Sequence, residues 1–231
     1  MVRYSSWPSA EPLLTIPFKR MMCAVCLRPQ AACLCHWVTP LSPAVEVVIL
    51  QHPLEVANAK GSARLLHLSL AASRMVSGEV FASDQLQMLL YGASGTAESL
   101  RRQPLLLYPE TPEEKSLGLT ATPLCDVGLL ARPTALRLVV LDGTWRKSRK
   151  MLYLNPLLQA LPRLSLCDPA PSRYRIRKSH QLHQLSTLEA TCLALAQLDP
   201  AGIGYESLLA AFDGFVEHAS RRMLGSGPHP A

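Results

Sequence analysis

Apolar strand-like runs alternate with helical stretches across the 231 residues, and this predicts an α/β fold. The sheet is expected to be mainly parallel, with helices on both faces, because its strongest strand, Leu136–Leu141 (LRLVVL), is too apolar to face water. A third observation sets the N-terminus apart: four of the seven cysteines fall within residues 23–35. The expected organisation is therefore a small metal-binding segment, 1–40, followed by one larger α/β domain, 41–231.

The cysteines read CAVCLRPQAACLC, a C-x2-C-x6-C-x-C spacing. A tight turn aims Cys23 and Cys26 at one ion, and a short return loop bent at Pro29 brings Cys33 and Cys35 to close a tetrahedron. Four thiolates with no open position make a structural zinc site, although His36 is a possible substitute for Cys35. An odd total of seven does not suit a closed disulfide framework. Cys125, Cys167 and Cys192 stand singly in apolar surroundings and read as small core residues.

TPLSP (39–43) is a hinge, and Val45–Leu50 (VEVVIL) a mostly buried strand that Pro53 stops. Residues 55–72 read as a helix weakened early by Gly61, Glu79–Ala82 as a second strand, and Asp84–Tyr91 as a short helix. Leu105–Tyr108 is a strand halted by Pro109. After Leu136–Leu141, Asp142-Gly143 turns the chain into a helix, Thr144–Leu154, that Pro156 terminates. Arg163–Leu166 is a fifth strand. Ser186-Thr187-Leu188-Glu189 has the form of a capping box opening a helix to Leu198. A last helix from about Ser207 to Met223 lines up Leu208, Phe212, Phe215, Ala219 and Met223, and residues 225–231 read as a loose tail.

Charge and composition narrow the function classes. Hydrophobic residues at 48% and charged residues at 17% exclude a disordered chain, and no run is long enough to cross a bilayer. The first nineteen residues lack an apolar signal-peptide core, so a cytoplasmic protein with reduced thiols and no membrane partner is expected. The formal net charge is +6. Two clusters carry more than that excess: Arg146, Lys147, Arg149 and Lys150, then Arg173, Arg175, Arg177 and Lys178 with Tyr174 among them. Concentrated Arg and Lys suit a phosphate backbone, so these are candidate RNA contacts; a solvated helix face is the plainer reading of the first cluster. His180 and His183 lack a metal-ligating pattern, and no GxGxxG, GxxxxGK[ST] or GxSxG occurs.

In an open α/β sheet ligands bind beyond the carboxyl ends of the strands. Three such ends are chemically unusual: Gln51-His52-Pro53 followed by Glu55, Tyr108-Pro109-Glu110, and Asp142-Gly143-Thr144-Trp145. Asp142 at the tip of a buried strand can project a carboxylate into a crevice, and Thr144 can cap the next helix. The competing reading is an Asp-Gly turn beside a core tryptophan.

Taken in order, the cysteine cluster, the strand into Gln-His-Pro-x-Glu, LLLYP, LDGTW with its basic helix, and Tyr174-x-Arg-x-Arg leading to LSTLEA resemble the DTW-domain family of tRNA-uridine aminocarboxypropyltransferases. The resemblance runs from Cys23 to about Leu198. It implies a SPOUT-like fold with a knotted C-terminal part. It also implies transfer of the 3-amino-3-carboxypropyl group of S-adenosylmethionine to N3 of a tRNA uridine, with release of 5′-methylthioadenosine. Carried over as donor-binding residues are Tyr108, Pro109, Asp142, Gly143, Thr144, Trp145, Tyr174, Arg175, Arg177, Leu185, Ser186, Thr187 and Glu189. Asp142 is the expected general base, and Arg175 or Arg177 the expected clamp on the donor carboxylate. The remaining basic residues, Arg146, Lys147, Arg149, Lys150, Arg173 and Lys178, are the expected tRNA contacts. Residues 58–64 (NAKGSAR), including Lys60 and Ser62, depart from the threonine-rich turn that the family pattern leads one to expect. A SPOUT-type RNA methyltransferase and a non-catalytic zinc-containing RNA-binding protein are the alternatives. Monomer and homodimer are both open.

Overall fold

The computed structural model describes residues 21–58, 61–92, 102–109, 127–166, 185–202 and 204–225. The expectations for Tyr174, Arg173, Arg175, Arg177, Lys178, His180, His183, Cys125, Cys167, Lys60 and the tail after residue 225 lie outside these residues.

Five parallel strands form one sheet: β1 (Glu46–Gln51), β2 (Ser73–Ser77), β3 (Gln103–Leu107), β4 (Leu136–Asp142) and β5 (Arg163–Leu164). Their order is β2-β1-β4-β3-β5, so the LRLVVL strand is central, as its composition requires. Seven helices accompany them: α1 (Ala63–Ser69), α2 (Ser83–Tyr91), α3 (Val127–Leu130), α4 (Trp145–Leu154), α5 (Pro156–Gln159), α6 (Thr187–Leu198) and α7 (Tyr205–Gly225).

The strands' period of two sorts the core into two layers. Val47, Ile49, Leu105, Leu138 and Val140 meet α1, α6 and α7 on one face. Val48, Leu50, Leu106, Val139 and Leu141 meet α2, α4 and α5 on the other. Each fully buried aliphatic side chain contributes about 1.5–3 kcal/mol. Two-sided burial is what makes β1 and β4 apolar at every interior position. After β1 the chain turns through α1 to β2, and after β4 it goes through α4 and α5 to β5 on the other side of the sheet. The two connections diverge between β1 and β4, and that is the topological switch point where such sheets bind ligands.

At the opposite end of the same two strands lies a buried ion pair. Glu46 opposes Arg137 in the β1–β4 register, and Arg137 is 1% exposed. Its Nε and Nη2 donate to Glu46 Oε2 at 2.9 and 2.6 Å. Nη1 donates to the carbonyls of Leu89 and Leu90, and Nη2 to that of Gly92. One guanidinium thus satisfies the last carbonyls of α2 and fixes that helix to the sheet.

The structure corrects several expected boundaries. The helix expected over 55–72 is only Ala63–Ser69, preceded by a single 3-10 turn, Pro53–Glu55. Arg28 Nη2 donates to the carbonyls of Asn58 and Gly61 ahead of the helix, while Leu70 leaves the helix for a bridge to Leu41. The second strand is Ser73–Ser77 and not Glu79–Ala82. Gly78 still donates its N–H to the Gln51 carbonyl at 3.0 Å, and Phe81 then drops into the core with its N–H bound to Asn155 Oδ1 at 3.0 Å. Pro156 ends α4 but also opens α5 at its first turn, where its missing N–H costs nothing.

The N-terminal knuckle docks on the α1/α7 face. Cys26 and Leu34 belong to the same core layer as those helices. Gly214 of α7 makes the approach possible, since a Cβ there would lie 2.3 Å from the Trp37 ring.

Removing Arg137 leaves Glu46 buried and α2's end uncapped. Arg137→Ala is expected to lower unfolding free energy by about 3 kcal/mol, measured by urea denaturation.

Candidate active site

The β1–β4 register places Gln51 directly opposite Asp142 at the switch point. Both are 6% exposed. Gln51 Nε2 donates to Asp142 Oδ2 at 2.9 Å, and Thr187 Oγ1 donates to Oδ1 at 2.6 Å. Asp142's own carbonyl accepts from the His52 N–H. The carboxylate therefore ties together β1, β4 and the first turn of α6.

Beside it opens a cleft of about 150 Å³ lined by Tyr108, Pro109, Gly143, Trp145, Leu185 and Thr187, with Ser186 and the end of β4 behind. Residues from the ends of β3 and β4 and from the N-terminus of α6, far apart in the chain, meet here. Trp145 is no core tryptophan: it is 41% exposed and stacks on Tyr108 with ring centroids 5.0 Å apart and planes at 17°. The other side of the buried Tyr108 ring carries the Arg163 guanidinium, 5.2 Å from its centre. Gly143 permits the sharp turn, because a Cβ would come within 3.1 Å of Lys147 Cβ. Thr144 Oγ1 caps α4 by accepting from the Lys147 N–H.

Ser186 and Glu189 are reciprocally bonded in the expected capping box, Ser186 N–H to Glu189 Oε2 at 2.8 Å and Glu189 N–H to Ser186 Oγ at 3.2 Å. Their visible work is to shape the start of α6 so that Thr187 reaches Asp142. Ser62, in the stretch that departs from the family pattern, accepts from the Leu188 N–H and so joins α1 to the same rim.

The first basic cluster is divided. Lys147 Nζ pairs with the buried Glu55 at 2.8 Å, and Lys150 Nζ with Glu79 at 2.8 Å. These two brace the loops after β1 and β2. Arg146 and Arg149 are exposed and have no ion-pair partner among the described residues. His52 Nδ1 accepts from the Leu54 N–H while Nε2 meets Glu79 Oε1 at 2.9 Å. Lys150 and His52 hold the Glu79 carboxyl below the ordinary range.

Cys23, Cys26, Cys33 and Cys35 have sulfurs within 4.8 Å of one another and could hold a metal ion. The Cys23–Cys35 and Cys26–Cys33 separations are 3.7 and 3.8 Å. Zinc–sulfur bonds of about 2.3 Å in a tetrahedron place the sulfurs about 3.8 Å apart, so the set fits that ion. The knuckle turn has Leu27 at φ 57°, and the N–H groups of Cys26 and Val25 lower the Cys23 thiol to about 6. Burial pushes Cys192 up to about 12, as expected of an inert core thiol.

Sequence reasoning passed over Gln51, Asn58, Ser62 and Glu79 as site residues. Gln51 alone had a signal, its place at the end of a buried strand.

A parallel sheet with helices on both faces is of the doubly wound α/β class, and here an aromatic-walled cleft opens beyond the ends of β3 and β4. Residues 20–220 match the model of the DTW domain, and the chain belongs to that family. It is 30% identical to tRNA-uridine aminocarboxypropyltransferase 2 of Mus musculus over 87% of this chain and 65% of the relative. Identity to the Drosophila melanogaster protein of the same name is also 30%, over 94% of this chain and 84% of the relative. With tRNA-uridine aminocarboxypropyltransferase A of Arabidopsis thaliana it is 27%, over 92% and 86%. The chain thus spans just under two thirds of the mouse relative's length. No solved structure matches the chain. Among the described residues no helix is long and apolar enough to cross a membrane.

Thr187→Val removes the donor to Asp142 but keeps the side-chain shape. It is expected to cost about 1.5 kcal/mol in denaturant unfolding, with Thr187→Ser recovering most of the loss.

Proposed function

We propose that the chain transfers the 3-amino-3-carboxypropyl group of S-adenosylmethionine to N3 of a tRNA uridine, releasing 5′-methylthioadenosine. The observation that carries this reading is the meeting of Asp142 with the Tyr108–Trp145 cleft at the switch point, in a chain whose relatives bear that activity in their names. Tyr108, Pro109, Gly143, Trp145, Leu185 and Thr187 would hold the donor, an apolar and aromatic lining suited to an adenine ring. In the transfer, an N3–carbon bond forms, a sulfur–carbon bond breaks, and the N3 proton must leave.

Asp142 is the proposed acceptor of that proton. The bonds from Gln51 and Thr187 fix the position of its carboxyl group at the end of β4, which is what a proton acceptor held beside the reacting nitrogen needs. Arg175 or Arg177 is proposed to clamp the donor carboxylate, with Tyr174 beside them. Their segment is where the resemblance implies a knot. Arg146 and Arg149 are the proposed phosphate contacts of the first cluster, with Arg173 and Lys178 from the second; Lys147 and Lys150 are assigned to bracing. The cysteine knuckle is proposed to carry structural zinc, in a protein working in the reducing cytoplasm as a monomer or homodimer.

Three measurements follow. Incubation with labelled donor and tRNA from a strain lacking the protein is expected to add an aminocarboxypropyl group to uridine; gain of a methyl group, or absence of donor binding by calorimetry, overturns the reading. Asp142→Asn is expected to abolish turnover with tRNA affinity nearly intact, and a collapse of affinity makes Asp142 structural. Replacing Arg146 and Arg149 by alanine should weaken tRNA binding and reduce the salt slope by up to about 0.9 per lost contact, whereas the Lys147 variant should lose stability first.

Elemental analysis of purified protein should find one zinc per chain, and Cys33→Ser should lower both that ratio and the melting temperature.

A further inference from the structure

A second and larger cleft, about 260 Å³, lies on the far side of the Gln51–Asp142 pair from the aromatic one. The cysteine knuckle forms one wall through Arg28, and the loop after β1 another through Val56 and Asn58. Arg64 of α1, Ser77 at the end of β2, and Gln51 complete it. Its volume is near the lower end of small-molecule sites, about 300 Å³.

Two polar groups in it have capacity to spare. An ionised carboxylate only accepts, so the Gln51 amide must face Asp142 with its nitrogen, and one of its two protons is used there. Among the described residues the second proton has no partner. Arg64 Nε donates to the Cys26 carbonyl at 3.3 Å, and among the described residues its terminal nitrogens have none. The acidic residue of the wall, Glu55, is neutralised by Lys147, so the cleft is net cationic.

We infer that this cleft receives the acceptor nucleotide, its uracil imide read by the Gln51–Asp142 pair and its phosphate or a carbonyl held by Arg64. The inference rests on the uridine-transfer reading above. Gln51 Nε2 and Asp142 Oδ2 are a donor and an acceptor 2.9 Å apart. Uracil offers the complementary pair side by side, a carbonyl acceptor and the N3–H donor. In this arrangement Asp142 accepts the imide proton and Gln51 donates to the carbonyl beside it. With O4 as the paired carbonyl, cytosine reverses the pattern at both positions, its N4 amino group facing the Gln51 donor and its N3 facing the Asp142 acceptor, and is rejected on that ground. A base entering here would be turned out of its stack into a fitted pocket. The aromatic cleft is left to the donor.

Val56→Trp and Ser77→Trp test this, because both positions are exposed and neither touches the bonds to Asp142. Each is expected to raise the KM for tRNA by about tenfold or more while calorimetric affinity for S-adenosylmethionine is unchanged. Gln51→Leu is expected to lower kcat/KM for uridine by a similar factor. In parallel, tRNA carrying 4-thiouridine at the modified position is photo-crosslinked to the wild-type protein, and the attached peptide identified by mass spectrometry. Attachment at the knuckle or the residue 51–64 segment supports the assignment. Wild-type KM in both tryptophan variants, or attachment beside Tyr108 and Trp145, overturns it. If the wild-type protein forms no aminocarboxypropyl-uridine, the preceding reading fails instead, and the crosslink still reports whether RNA enters this cleft.

Discussion

The parallel pairing of β1 with β4 is the constraint on which the rest of the molecule depends. Its register sets Glu46 against Arg137 at one end and Gln51 against Asp142 at the other. A slip by one residue would turn every interior side chain to the wrong helical layer and break both polar pairs together. The apolar stretch between them, Val47 to Leu50 against Leu138 to Leu141, supplies the burial that makes such a slip costly.

The two polar ends are built for different purposes. At the lower end, every nitrogen of Arg137 has a partner, and the guanidinium joins sheet and α2 into one body. At the upper end, Gln51 lines the larger cleft and, among the described residues, retains an unused donor, while Asp142 beside it is held by Gln51 and Thr187. Stability is concentrated where nothing needs to enter, and polar capacity is kept where a ligand can use it.

The cysteine knuckle belongs to this scheme as a wall. Arg28 reaches the loop after β1, Arg64 reaches back to Cys26, and Trp37 lies in the space that Gly214 leaves on α7. Metal at the four sulfurs would therefore fix one side of the larger cleft as well as the local turn. Lys147 and Lys150 act in the same way on the opposite loops, because they face buried or partly buried carboxylates across from their helix.

Much of this was legible in the residues. The cysteine spacing, the two-sided apolarity of LRLVVL, the Ser186–Glu189 cap and the Thr144 cap are local signals, each set by short-range geometry, and each is present as read. The family pattern was equally visible, since it consists of short motifs in order. Tertiary structure alone decided what depends on partners distant in the chain. Ser73–Ser77 became a strand because β1 offered an edge, and the helix begins only at Ala63, with Asn58 bound by Arg28 and Glu55 and Gly61 by Arg28 ahead of it. The pairing of Gln51 with Asp142, and the division of one basic run into braces and free cations, follow from which strand neighbours which, and no local pattern encodes that.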